Sequence, residues 1–402
     1  MQGEQMNNVI SILINSIKYE ICGRTEEIVL PDVSARFFID LFRLSKKHDI
    51  APIAGNALNK CGAFEHLPVD IEESEREAIA KIKTKFDEQI FTAVYRYENI
   101  NNELKEIRRV LSETKIPFIP LKGSVIREYY PEPWQRTSCD IDVLVKEKDA
   151  DNAAEYLQTR LQYRCEEKWQ HDISLFSPSN IHVELHFKLM DIEFKQVSSL
   201  NDIWSGDEIS LLSDSEYQMS KELFLLYHIY HMAKHFIHGG CGIKPFIDLW
   251  VIKNKVGFDE GKAQKMLQES GLLAFFERST DLVNVWFEGK EHSEITQEME
   301  DYVLQGGVYG TLEQQLAMSQ NKKGGKFRHL MGRIFLPYKS MVIYYPSLKK
   351  CPILFPFYQV RRWFRILFCG GRKTAMNEIK LNQSLSEEKK QAAKNLIDEL
   401  GL

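Results

Sequence analysis

No two cysteines in this sequence are spaced as CxxC. The seven that occur, Cys22, Cys61, Cys139, Cys165, Cys241, Cys351 and Cys369, are odd in number and scattered. Such usage reads as reduced thiols in a cytoplasmic protein rather than as a disulfide framework. No apolar run reaches the roughly eighteen uninterrupted residues of a membrane helix, so no span is expected. The opening stretch, "MQGEQMNNVISILINSIKYE", carries Glu4 and has no charged region ahead of its apolar patch, unlike a signal peptide. Neither sign of charge is in large excess. A net charge of −5 and a pI near 6.2 argue against bulk electrostatic binding of nucleic acid and leave only a local basic patch for that role. Repeats and low-complexity tracts are absent. What is present is 402 residues at 44% hydrophobic content, enough to bury the cores of two or three domains.

The hydrophobic period changes twice along the chain. Residues from about 8 to 66 follow helical spacing, with Pro31-Asp32 as a helix start. From Ser74 to Thr114 one apolar stripe, including Ile79, Ile82, Phe86, Ile90, Val94, Tyr97, Leu104, Ile107 and Leu111, predicts a single long helix. A kink is expected near Asn101-Asn102. Between about 115 and 190 the pattern turns mixed: "IPFIPLKGS" and "DIDVLV" read as strands, "DADNAAEYLQTRLQ" as a helix, and "DISLFSPSNIHVELHF" as a hairpin turning at Pro178-Ser179-Asn180. Helical spacing returns from Ser213, with "KKGGK" (322–326) as a loop and Ser386 capping a last surface helix. The expectation is an α+β protein in three parts: a helical region over 1–114, a small mixed-sheet core over 115–200 and a larger helical region over 201–402.

The chemistry centres on "TSCDIDVLV", residues 137–145. Alternate residues of a strand share a face, so Asp140 and Asp142 point together while Ile141, Val143 and Val145 point into a core. Paired carboxylates suit a divalent cation with hard oxygen ligands, such as Mg²⁺; they also suit a solvated strand start. Glu184 adds a third acid in "HVELHF", on one face with His182 and His186, and an acid within a sheet strand needs a partner. That partner is either a metal ion or a nearby Lys or Arg. Gly123-Ser124 follows an apolar strand and precedes a helix-like segment, a turn that can offer backbone N–H groups to phosphate. Arg136 stands beside the acids, either balancing them or gripping a phosphate, or as an ordinary surface arginine.

"LKGSVIREYYPEPWQRTSCDIDVLV" resembles the nucleotidyltransferase superfamily, which has the fold of DNA polymerase beta, and within it the uncharacterised nucleotidyltransferase family. The family pattern runs LKG, a Tyr-Pro pair, an Arg, DIDLLV, and later an acid two residues before a His. Tyr130-Pro131, Arg136, Asp140, Asp142, Glu184 and His186 follow it. Weaker similarity covers "LFRLSKKHDIAPIAGNAL", "HMAKHF...PFIDLW" and "RHLMGRIFLPYKSMVIYYPSLKK", with Lys244-Pro245-Phe246 departing from an Arg-Trp-like stretch before Asp248. The resemblance implies an enzyme that moves a nucleoside monophosphate from an NTP, ATP foremost, to an unidentified hydroxyl. Asp140, Asp142 and Glu184 would bind Mg²⁺ or Mn²⁺, Glu184 would help deprotonate the acceptor, and Lys122, Gly123, Ser124 and Arg136 would hold phosphates. Glycosyltransferases also use DxD, but after an apolar strand; here "VLV" follows the acids.

Two segments lie outside that motif. His228, His231, His235 and His238 fall at steps of three, four and three on one helix face. They read as a zinc site of a hydrolase, as a polar stripe lining the cleft, or as interhelical packing. The resemblance extends to His231 and His235, and His186, Lys234 and Asp248 join them as cleft-lining candidates. The basic-aromatic segment 351–369 reads as a membrane- or RNA-binding surface or as a core helix whose Arg361, Arg362 and Arg365 reach outward. A catalytically silent nucleotide-binding protein of the same fold stands as the alternative to the enzyme.

Overall fold

The computed structural model describes residues 2–24, 28–68, 70–190, 197–308, 310–311, 314–315, 335–338, 341–342, 345–349, 351–368 and 387–402. The proposed loop at 322–326, the cap at Ser386 and most of "RHLMGRIFLPYKSMVIYYPSLKK" lie outside these residues. The architecture is α+β, with helices on either side of a seven-stranded mixed sheet along the chain.

Helix α1 spans Gln2–Glu20, α2 Ala35–Lys47 and α3 Ala51–Lys60. Helix α2 begins three residues after Asp32, because Ser34 is its N-cap: the Ser34 hydroxyl accepts from the Phe37 amide at 3.2 Å. Asp32 instead accepts from the Ser34 amide and hydroxyl, steadying the cap one step back. Helix α4, Glu73–Glu113, runs unbroken for 41 residues through Asn101-Asn102, where a kink was expected. No proline or glycine interrupts its hydrogen-bond ladder, and asparagine alone does not break one. Its stripe is buried at Ile79, Ile82, Phe86, Leu104, Ile107 and Leu111, but Val94 faces outward and Ala93 takes the inner position.

Strand β1 is Phe118–Pro120, α5 the single turn Gly123–Ile126, β2 Asp140–Val145 and α6 Ala150–Leu161. Strands β3 (Arg164–Lys168), β4 (Asp172–Phe176) and β5 (His182–His186) follow, and β6 (Ile209–Ser213) and β7 (Glu216–Met219) complete the sheet. The strand order is β3-β4-β5-β2-β1-β7-β6. Strand β2 runs parallel to β5 and antiparallel to β1. One sheet face packs on α4 and α6: Ile141, Val143, Val145, Ile173, Val183 and Leu185 meet Leu104, Ile107, Leu111, Ala153 and Leu157. Each such buried Val, Ile or Leu contributes about 1.5–3 kcal/mol relative to exposure. With one face apolar, strand alternation consigns the intervening polar residues to the other.

Helix α7 spans Lys221–Ile237, α8 Lys244–Val251, α9 Glu260–Glu269, α10 Leu273–Glu288 and α11 Glu294–Gly306. Helices α12 (Phe355–Phe368) and α13 (Glu387–Glu399) follow. The chain forms two compact units: Met1–Met232 with Ile243–Gln297, and Ala233–Gly242 with Glu298–Leu402. The first holds the whole sheet. In the second, Phe236 stacks on Tyr302 at 4.9 Å. Helix α12 is not a buried core helix: Ile353 just before it and Phe357 and Phe364 within it are exposed, and Arg361 lies 6.0 Å from the rings of Tyr345 and Tyr358. Among the described residues no helix is long and apolar enough to cross a membrane.

Candidate active site

The parallel register of β2 and β5 sets the site. Asp140 pairs with His182, Asp142 with Glu184 and Leu144 with His186. On the next strand, Ser174 pairs with Glu184 and Asp172 with His186. Because Ile141, Val143, Val183 and Leu185 are drawn into the core, the acids and histidines between them share the opposite face. The Leu121 amide donates to the Asp142 carbonyl at 3.0 Å, extending the β1 pairing by one residue. Lys122 then takes a left-handed backbone (φ 47°), a conformation that costs a non-glycine residue about 1–3 kcal/mol. The strain accompanies a side chain turned onto the acids.

The Lys122 ammonium lies 2.7 Å from Asp142 Oδ1 and 3.9 Å from Glu184 Oε2. His186 Nε2 lies 2.8 Å from the same Asp142 oxygen and 3.2 Å from Glu184 Oε2. Burial opposes ionisation of Asp142, yet Lys122 and His186 hold its carboxyl far below the usual range. Burial likewise opposes charge on His186, but its bonds to Asp142 and Glu184 raise it to about 9, so its ring carries a proton at neutral pH. Lys122 is raised as well, its burial outweighed by Asp142 and Glu184. Asp140 goes the other way: burial and the Asp142 charge push its pKa up. Among the described residues no cation lies within ion-pairing distance of Asp140.

The structure therefore brings Asp142, Glu184 and His186 together, with ligand atoms all within 4.8 Å of one another. Asp140 lies one register pair along the same face, half-buried. Ser124 is buried, and its hydroxyl has no hydrogen-bond partner among the described residues. Gly123 is buried beside it.

Arg136 has a specific partner. Its Nε donates to both Asp248 oxygens at 2.7 and 2.9 Å, and its Nη1 donates to the Thr137 carbonyl at 2.6 Å. Asp248, 2% exposed, also accepts from the Tyr130 hydroxyl at 2.6 Å. It faces this network inside the first unit rather than open solvent. The residues on either side of Arg136 are tied down too. Gln135 Nε2 donates to Glu20 at 2.8 Å, and the Thr137 hydroxyl donates to Asp49 Oδ2 at 2.7 Å. Lys244, where the sequence departs from the family pattern, pairs with Asp49 and donates to the Thr137 hydroxyl at 3.0 Å. Three successive residues thus anchor the approach to Asp140 on α1, α8 and the turn after α2.

Among the described residues, the histidine stripe supplies no group of three metal-capable side chains. His228 Nε2 donates to the Pro245 carbonyl at 2.9 Å, and His238 Nδ1 donates to the Lys234 carbonyl at 2.6 Å. The His231 ring lies 6.3 Å from Tyr227. Lys234 and His235, in the second unit, are half-buried. Three residues near the acids went unread in the sequence: Tyr227, whose pKa burial raises beside Lys122; Asp172, raised by burial; and Arg127. Asp172 was legible as the acid that opens the strand "DISLF"; Tyr227 left no signal.

A mixed sheet that gathers its strand acids on one face, beside a Lys-Gly-Ser turn, agrees with what the resemblance to nucleotidyltransferases implies. The sequence model of a family described as uncharacterised nucleotidyltransferases matches residues 38–288, and the chain belongs to that family. The match runs from within α2 to the end of α10 and includes Lys122, Gly123, Ser124, Asp140, Asp142, Glu184 and His186, while Glu20 lies before it. No curated protein and no solved structure gives a significant match.

Proposed function

We propose that this protein transfers a nucleoside monophosphate from an NTP, ATP foremost, to a hydroxyl-bearing acceptor in a reaction dependent on a divalent cation. The observation that carries this reading is the pairing of Asp142 with Glu184, with Asp140 on the same face and only partly offset by Lys122 and Arg136. The donor set fits Mg²⁺ or Mn²⁺: three carboxylates offer hard oxygens, and their charge exceeds that of Lys122 and protonated His186. Bound there, such a cation would neutralise charge on the phosphoryl group in transfer.

The chain's own residues do the rest. Asp140, Asp142 and Glu184 form the ligand wall. Lys122 and His186 fix the Asp142 and Glu184 carboxylates in orientation. The unpartnered Ser124 hydroxyl and the Gly123 backbone offer phosphate contacts. The acceptor oxygen bonds to the α-phosphorus, the bond to the bridging oxygen breaks, and pyrophosphate leaves. Glu184 takes the acceptor's proton, since His186 already holds one at neutral pH. The cysteines, scattered and nowhere spaced as CxxC, favour a reducing compartment such as the cytoplasm.

Incubation with each α-labelled NTP, Mg²⁺ or Mn²⁺ and cell extract tests the reading. Label should move to an acceptor and should not move with Asp140→Asn or Asp142→Asn. Transfer by those variants at the wild-type rate would sink it. One observation favours a second reading. Lys122 already fills part of the space between Asp142 and Glu184, as in a protein that binds NTP without turning it over. Tight NTP binding with no pyrophosphate release would select it.

A further inference from the structure

One long stretch of this chain is without acidic residues. Between Glu313 and Glu378 the sequence has no Asp or Glu and has thirteen Lys and Arg. The net charge of −5 is therefore +13 on residues 314–377 and −18 on the remainder. A charge split of this size points to a polyanionic partner for the basic part. Helix α12 lies inside this stretch.

The helix is held along one side. Gln359 is buried, and its Nε2 donates to the Leu336 carbonyl at 2.5 Å. The Tyr358 hydroxyl accepts from the Ser347 hydroxyl at 2.8 Å, and the Trp363 ring meets Phe335 edge-on at 5.2 Å. Away from Gln359, apolar side chains turn outward. Ile353, just ahead of the helix, is 87% exposed, Phe357 64%, Val360 43% and Phe364 59%. They stand at steps of four, three and four, the spacing of a single helix face. Arg361 stands exposed at the edge of this stripe, its guanidinium 6.0 Å from the rings of Tyr345 and Tyr358. A contiguous apolar stripe with a basic border marks a surface that another phase or molecule covers.

We propose that this face of α12 lies on an anionic lipid surface, with Ile353, Phe357, Val360 and Phe364 at the boundary of the acyl chains and Arg361 at the lipid phosphates. At 14 residues the helix lies in the plane of the surface and does not cross it. Two other occupants fit less well. Ile353 and Val360 present no ring on which a nucleic-acid base could stack. A second copy of the chain would set one +13 stretch against another. A lipid surface of negative charge accepts both the apolar stripe and the basic residues around it. The inference stands apart from the transferase reading, since none of these residues belongs to the site on β2 and β5.

Flotation of the full chain with vesicles is the test, using equal parts of phosphatidylcholine and phosphatidylglycerol against phosphatidylcholine alone. The wild type should partition onto the anionic vesicles at least tenfold more strongly than onto the neutral ones. Phe357→Ser/Val360→Ser should weaken that partition at least tenfold through lost apolar burial, and Arg361→Gln about fivefold. These positions are exposed, so the variants should melt as the wild type does. Should the double variant melt lower, Ile353→Ser, ahead of the helix, takes its place and should also weaken partition. No partition of the wild type overturns the proposal. Wild-type partition by the folded apolar variants overturns it too, leaving only diffuse attraction of the basic stretch. Binding of single-stranded RNA without binding of vesicles, lost in Arg361→Gln, would give the face to nucleic acid instead. A dimer that forms without vesicle binding and is dissolved by Phe357→Ser/Val360→Ser would give it to a second copy, and the lipid assignment falls in either case.

Discussion

Burial and Asp142 oppose the charge of Asp140 more than Lys122 and Arg136 offset it. Its pKa is raised by burial and by Asp142, so its ionised form is disfavoured in the folded state. For a raised carboxyl, the linked stability is fully present below the ordinary value of 3.8 and is lost as pH rises through the folded value. At neutral pH, metal-free Asp140 therefore destabilises the fold. Asp140→Asn, in chelator, should melt at a higher temperature than wild type, while its label transfer falls by about two to four orders of magnitude. Calorimetric melts and the transfer assay together check this; a lower melting temperature would mean that Asp140 has a stabilising partner in solution. Residue by residue, the site was legible wherever one strand carried its own pattern. Asp140, Asp142 and Glu184 announce themselves by sitting at alternate positions among core aliphatics. Lys122 and His186 were within view too, but not their convergence on one Asp142 oxygen, because that depends on pairing between distant strands.

At the scale of elements, the helices before and after the sheet clamp the strap that leads into β2. Gln135, Arg136 and Thr137 bond to Glu20, Asp248 and Asp49, all from other elements. Nothing local in "PEPWQRTSCD" identifies those partners, which is why Arg136 read equally well as a phosphate ligand. Removing one member of a buried pair strands the other. Asp248→Ala should cost about 3–5 kcal/mol in denaturant melts, and Arg136→Met/Asp248→Leu should recover most of that. If the single and double variants are equally unstable, the ion pair is not the cause. Burial opposes the Asp248 charge, but Arg136 lowers its pKa below the ordinary 3.8. The stability this gives is whole above that ordinary value and fades as pH falls through the lower folded value. Acid unfolding should thus steepen below about pH 4, and Asp248→Asn should flatten that limb. Of the three strands that escaped notice, β7 falls just where helical spacing was expected to return, and the other two share a physical cause. Strand β3, "RCEEK", is exposed throughout and has no core face, and β6 is exposed over "SLLS", so neither shows the alternation that a half-buried strand imposes.

At the scale of the whole molecule, ligand binding and folding are one equilibrium. A cation that binds the folded chain alone stabilises it by about 2.7 kcal/mol at a hundred times its dissociation constant. Without one, the three acids of the site face Lys122 and His186 with charge to spare, and Asp140 takes the cost. Adding Mg²⁺ or Mn²⁺ should therefore raise the melting temperature of wild type, and the rise should saturate. Asp142→Asn should lose most of it, because Asp142 contributes to both the ligand group and the pair with Glu184. Asp140→Asn should start higher and rise less, so that its melting curve and the wild type's converge or cross as metal is added. Asp248→Asn should start lower and rise as much as wild type, since it weakens the scaffold and leaves the ligands in place. A common shift in all four proteins would trace the effect to general screening of charge by salt, and equal concentrations of K⁺ as a control separate the two. Convergence in Asp140→Asn with a full shift in Asp248→Asn would locate the cation at the acids of β2 and β5.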